Sequence, residues 1–467
     1  MAKWKINIQQ PFLGYSPKYY LNSTSSFGNA SSAVSMTDID LTDPNYIKQA
    51  HSLTSLTSVP DLLNCIIPEE IITNYTFGVS ATKLHKISAS AIYTTSPFPH
   101  TITDSVTGRS CIEYNGNIYY FYSKSSGGDI GEYDLATTFD DDWGSTEDSA
   151  LQTATTYPCL EIGSDDNSKL IFGNGRYLGV YDGTTLDVSQ YDFGTGSEVV
   201  GIATTNNFAI VAVNHVNGKS SIYYINSTLD TTTYVDSAEL HGEIGTIFLK
   251  DGYIYVFFKK NGNTAYYLSI LSGKIIEKYA EYQTAMPKFG QVDIYEDFLA
   301  FNGGNKIHLF GKNYQNNPYS HSQIVSGKYS TLGAISTPFD EFMIASTQST
   351  SYDIGKIGTS YGVTSDWKSI YMDVSDIDKL SRIDSVMVKT NNLGENAKCD
   401  ITLAYNNGRT TKTVGTVTGE NKTRHIFTVG SADIENLQVR ISWSNSNTTN
   451  PCHIKEVVIT GEYYGRR

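Results

Sequence analysis

Residues 253–271 read YIYVFFKKNGNTAYYLSIL. Two runs of β-branched and aromatic side chains flank an Asn-Gly turn, the strongest short-range signal for a hairpin. The same plan of strand, Gly/Asn turn and strand recurs six more times. It appears in YTFGVSATKLHKIS from Tyr75, IYYFYSKSSGGDIGEYDL from Ile118, LIFGNGRYLGVYDG from Leu170 and FAIVAVNHVNGKSSIYYINS from Phe208. FLAFNGGNKIHLFGKN from Phe298 and FMIASTQSTSYDIGKIG from Phe342 complete the set. The starts lie roughly 38 to 52 residues apart, about the period of four-stranded propeller blades. VVGIATT, IGTIFLKDG and GQVDIYED supply a strand before three of the hairpins, and TTTYVD and IIEKYAEY supply one after two of them. A lone blade cannot bury both of its faces, whereas a ring of blades can, and closing the ring leaves few free edges. The expected fold is all-β, with a β-propeller of about seven blades over residues 69–365.

The texture changes after SYGVTSDWKSIYMD. The strands DSVMVKTNN, KCDITLAYNNG, TKTVGTVTG, TRHIFTVG, NLQVRISWSN and HIKEVVITGEYY follow with other spacings. In NLQVRISW, Leu437, Val439, Ile441 and Trp443 alternate with polar neighbours and define one apolar face. Residues 366–467 are expected to form a jelly-roll-like β-sandwich, with Trp367 and Trp443 in its core. Residues 1–68 have neither period. Phe12, Tyr15, Tyr19, Tyr20 and Phe27 stand among Ser, Asn, Thr, Gly and Pro. Such rings can be buried only against a surface that the segment does not itself form, so the segment is expected to be an extended N-terminal arm. These five aromatics are its candidate interface anchors.

Composition narrows the function. The chain of 467 residues has 34 tyrosines, as many as its Lys and Arg together, and a formal net charge of −14. An acidic chain repels phosphate backbones and anionic lipid, so neither nucleic acid nor membrane is an expected partner. The five cysteines are odd in number, widely spaced and without a C-x-x-C pair, which fits neither a disulfide framework nor a zinc site. They are expected to be buried thiols in a protein made in a reducing compartment. MAKWKINIQQP lacks the apolar core of a signal peptide.

Sequence motifs for catalysis fail on inspection. GTSYG around Ser360 matches the nucleophile-elbow pattern, but strand rather than helix follows it. NGKSS from Asn217 lacks the upstream glycine of a phosphate loop, Val213 standing there instead, and GNGRYLG ends its fingerprint on Leu178. FDDDWGSTED gathers Asp140, Asp141, Asp142, Glu147 and Asp148, with a spacing that fits no EF-hand. The histidines are dispersed. No catalytic residue, metal ligand or cofactor is therefore expected.

Two parts of the chain carry a resemblance. GYSPKYYLNSTSSFGNASSAVSMTDIDLTDPNYIKQAHSLTSLT, followed by NYTFGVSATKLHKIS, resembles the entry into the first blade of β-propeller virion proteins of tailed bacteriophages and metagenomic phage contigs. WKSIYMDVSDIDKLSRIDSVMVKTN, FTVGSADIENLQVRISWSN and IKEVVITGEYY are similar to the sandwich that often follows that propeller. The resemblance implies a non-enzymatic tail, connector or neck component of the virion, assembled in the host cytoplasm. Its partners would be other virion proteins, with several copies forming a homo-oligomeric ring through the arm and Tyr-rich propeller surfaces. The alternatives are an adhesin for a host receptor or surface glycan, and a polysaccharide-degrading propeller enzyme.

Overall fold

The computed structural model describes residues 3–9, 14–15, 32–43, 45–92, 94–144, 151–163, 168–205, 207–226, 228–229, 234–272, 275–312, 319–325, 329–348, 351–362, 364–374, 380–444 and 449–464. Among the described residues, six strands precede the first blade: β1 (Lys3–Ile8), β2 (Gly14–Tyr15), β3 (Ser32–Thr37), β4 (Ile39–Asp40), β5 (Lys48–Gln49) and β6 (His51–Val59). Seven antiparallel meanders of four strands follow, the blades of a β-propeller, the last of them completed by β6.

Each of the seven hairpins read from the sequence is the middle pair of strands of one blade. In blade two, Asn117–Lys124 pairs with Gly127–Tyr133, and Thr107–Tyr114 and Phe139–Asp140 flank them. One strand, Tyr234–Lys250, serves two blades: its first half closes blade four and its second half opens blade five. Blade seven takes three strands from Thr331–Ser336, Met343–Gln348 and Ser351–Tyr361, and its fourth is β6, antiparallel to Ser351–Tyr361. The Ala334 N–H then donates to the Leu63 carbonyl at 2.9 Å, which ties blade seven to the start of blade one.

The apolar cores lie between blades, and the period of two explains the aromatic runs. In IYYFY, Tyr120 and Tyr122 pack toward blade one with Phe77, Phe98 and Tyr133. Tyr119 and Phe121, on the opposite face, pack toward blade three with Tyr157 and Phe172. Gly131 is required here, since a Cβ on it would sit 2.0 Å from the Tyr120 ring. Three buried tyrosine hydroxyls of this blade have partners: Tyr114 donates to the Ser168 carbonyl at 2.8 Å, Tyr119 to Glu132 at 2.8 Å and Tyr122 to Asp129 at 3.0 Å. Much of the tyrosine that the sequence suggested for docking surfaces is therefore core, although Tyr253 and Tyr279 are exposed.

The sandwich differs from the expected domain division. One sheet has the order β1, Ile454–Tyr464, Leu380–Thr390, Arg424–Ile434. The other runs β3, Thr364–Ser369, Asn436–Ser444, Cys399–Tyr405, Thr410–Val417. Trp367 and Trp443 are buried in its core, as expected. The division at residues 68 and 365 does not hold, because the arm is not a separate unit. β1 alternates outward lysines with buried Trp4, Ile6 and Ile8, and it forms an edge of the sandwich. β3 adds a strand to the second sheet. β4 pairs with the outer strand of blade six, Ser320–Ile324, and β6 belongs to blade seven. The physical reason is that both sheets and the last blade would otherwise expose unpaired edges and uncovered apolar faces. β2 pairs in parallel with both β3 and the outer strand of blade six, so hydrogen-bonded sheet runs without a break from propeller to sandwich.

Candidate functional site

The innermost strands of all seven blades line one central cavity of about 420 Å³. Its wall is mainly apolar, with Ile66, Ile202, Ile247, Phe248, Phe289 and Ile335 among the residues facing it. Cys65, Cys111 and Cys159 lie on the inner strands of blades one, two and three. Their wide spacing in the sequence is one blade period. All five cysteines are buried and unbridged, and burial pushes the Cys111 and Cys159 thiols well above the ordinary range, so these two are protonated.

Four carboxyl groups also line the cavity: Glu69, Glu113, Glu161 and Asp293. Glu113 and Glu161 stand one residue before the ends of the strands Thr107–Tyr114 and Cys159–Ile162. Asp293 stands on the inner strand Val292–Tyr295 of blade six. Its Oδ1 accepts from the Ile294 N–H at 2.8 Å, while Oδ2 is shielded from solvent. Burial pushes the Asp293 carboxyl up to about 6, against the pull of hydrogen bonding from Ile294 and Thr337. Glu113 is partly committed elsewhere, accepting from the Gly116 N–H at 2.6 Å to fix its own turn. Lys288 is the cation of the lining.

The acidic stretch in blade two has a structural role where it is described. Asp141 accepts from Tyr120 at 2.5 Å and from both the backbone and the hydroxyl of Thr103 at 2.9 Å, and pairs with His100 at 2.9 Å. Burial works to raise its pKa, but His100, Tyr120 and Thr103 hold it down to about 2. Lys124 pairs with Asp129 and, at 3.5 Å, with Asp142. Glu147 and Asp148 lie outside the described residues. Among the described residues no group of three His, Cys, Asp or Glu side chains is arranged to hold a metal ion.

The other sequence candidates are not brought together. Ser360 is exposed on the strand Ser351–Tyr361, where its carbonyl accepts from the Ser52 hydroxyl at 2.9 Å, so GTSYG is no elbow. Asn217 lies in the hairpin turn of blade four, and GNGRYLG spans the middle hairpin of blade three. Tyr15 falls in β2, whereas Phe12, Tyr19, Tyr20 and Phe27 lie outside the described residues. Asp293 escaped the sequence reading. Its signal is an acid inside the apolar inner strand of GQVDIYED, at a place where a carboxylate must find a partner or shift its pKa.

No protein-family model matches the chain, and no curated protein matches it in sequence. Solved structures do align with it. The β-propeller domain of Cps50 (Swd1) from Myceliophteria thermophila is 9% identical, with 66% of this chain and 100% of that chain covered and a TM-score of 0.44. The Neurospora crassa Pan2 WD40 domain is 10% identical, covers 67% and 97%, and gives 0.44. The PQQ-bound aldose sugar dehydrogenase of Streptomyces coelicolor is 10% identical, covers 65% and 97%, and gives 0.40. The propeller assignment rests on the strand pairing of this chain.

Proposed function

We propose that the protein is a non-enzymatic structural component of a tailed-bacteriophage virion, in the tail or the head–tail connector region. The observation that carries this reading is the unbroken sheet joining blade six to the sandwich through β2 and β3. A subunit that holds position in a particle benefits from domains tied to each other by backbone pairing, which β2 supplies through Gly14 with His321 on one side and Gly14 and Tyr15 with Ser32 and Ala33 on the other. The N-terminal resemblance supports the reading too, since the stretch that carries it includes β2, β3, β4 and most of β6, which pair with strands of the propeller or the sandwich. The exposed Tyr253 and Tyr279 supply aromatic contact points on blade five for neighbouring subunits.

The carboxyl groups of the cavity favour a second reading, a propeller that binds or cleaves a host polysaccharide. One experiment separates the two. Mass spectrometry of density-purified particles from the source culture should find this chain at a fixed ratio to the major capsid protein, and the purified chain should leave capsular polysaccharide intact. Absence from particles, or turnover of polysaccharide, overturns the structural reading.

A further inference from the structure

Two thiols lie against each other in the core of the sandwich. Cys399 Sγ and Cys452 Sγ are 3.5 Å apart, and both residues are fully buried. Cys399 begins the strand Cys399–Tyr405 of the second sheet, opposite Trp443 in the register. Cys452 stands two residues before Ile454–Tyr464 of the first sheet, and its carbonyl accepts from Trp443 Nε1 at 2.6 Å. The next residue is anchored as well, the His453 N–H donating to Asn391 Oδ1 at 2.8 Å. The pair therefore joins the start of a strand in one sheet to the approach of a strand in the other, with the backbone held on both sides. A disulfide needs the sulfurs to move about 1.5 Å closer, a distance that side-chain rotation can supply.

We propose that Cys399 and Cys452 form a disulfide when the protein meets a peroxide or a small-molecule disulfide, stapling the two sheets of the sandwich together. With hydrogen peroxide, one thiolate attacks the O–O bond, becomes a sulfenic acid and releases hydroxide, which takes up the thiol proton. The second thiol then attacks that sulfur, and the S–S bond forms as water leaves. The two sulfurs give up two electrons and the peroxide is reduced to two waters. With glutathione disulfide, thiol exchange passes the same two electrons on and releases two glutathione thiols. Burial, with the Cys452 sulfur beside it, holds the Cys399 thiol well above its ordinary range, so the reaction waits on local opening and is slow. A reducing compartment keeps the pair as thiols, and an oxidising medium closes it. The residues it would join are 53 apart, and the loop takes in Thr410–Val417, Arg424–Ile434 and Asn436–Ser444. The bridge would therefore restrict the unfolded chain and stabilise the sandwich. The inference is independent of the role in a particle, since the pair needs only this chain and an oxidant.

Peptide mapping of the full chain, alkylated without reduction, tests it. After hydrogen peroxide on the folded protein, or refolding in a glutathione redox buffer, Cys399 and Cys452 should be recovered as one linked pair, two hydrogens lighter than the separate peptides. Calorimetry should place the sandwich transition about 10 °C higher in the linked protein than in the untreated thiol form. Cys452→Ser should abolish both the link and that shift. The proposal is overturned if both cysteines stay open to alkylation after both treatments, if they end as sulfinic acids, or if they pair with the channel cysteines instead. A linked protein whose sandwich melts no higher than the thiol form also overturns it. If Cys452→Ser does not fold, the oxidised and thiol forms of the parent decide.

Discussion

The propeller and the sandwich are both antiparallel β-structure, yet they draw on the chain in opposite ways. Every blade except the last is a continuous stretch of sequence, and its strands pair with their chain neighbours through short turns. The sandwich takes β1 and β3 from one end of the chain and its remaining strands from the other. The cores differ accordingly. Between blades, aromatic rings pack edge to face, as Phe257 does with Phe301 at 5.0 Å, and within a blade tyrosine hydroxyls tie down carboxylates, as Tyr119 does Glu132. In the sandwich the core is Trp and aliphatic, with Ile383, Val386, Ile401, Val439 and Ile459 around Trp367. A repeat fold can thus be assembled from local pieces, while the sandwich waits for its first strand to meet its last.

That contrast can be broken most strongly at β1. Removing residues 1–9 takes Trp4, Ile6 and Ile8 out of the sandwich core and frees the edge at Ile454–Tyr464. The expected loss is several kcal/mol, comparable with the roughly 5–15 kcal/mol that stabilises an ordinary domain. Calorimetry should show the sandwich transition shifted down or abolished while the propeller transition stays. Trp367→Ala, which empties a fully buried site, should cost about 3–5 kcal/mol in the same transition. Leu53→Ala in β6 should instead lower the propeller transition, by about 2–3 kcal/mol, because Leu53 is buried against Gly355 in blade seven. A shift of the sandwich alone on Leu53→Ala would contradict the placement of β6.

The smallest effect concerns pH. Asp141 is held near a pKa of about 2 in the folded chain, below the ordinary value of 3.8. Its contribution is therefore present above pH 4 and is lost as the pH falls through about 2. Asp141→Asn should flatten the acid limb of the propeller's stability between those values and leave the sandwich limb unchanged. Chemical denaturation across that pH range reads the slope directly.

The same contrast explains what the sequence could tell. Hairpins such as 253–271 announce themselves because their turn and both strands lie within one short window. Six sandwich strands were legible for the same reason, and Leu437, Val439, Ile441 and Trp443 are buried as their alternation predicts. β1 also shows its period in KWKINI, but nothing nearby names its partner at the far end of the chain. β6 reads as part of a polar arm because its ladder partner lies about 300 residues away, at Ser351–Tyr361. The cavity was hidden because it exists only when seven inner strands converge. Asp293 is unremarkable until the strand around it is known to be innermost, and the cysteines look scattered until the blade period brings three of them to one channel.

Amide hydrogen exchange over residues 3–8 and 51–59 tests most directly whether the N-terminal segment is built into both domains. The paired amides of β1 should be protected like those of Ile454–Tyr464, and those of β6 like Ser351–Tyr361. Exchange at the rate of an unstructured peptide in either stretch would contradict the account.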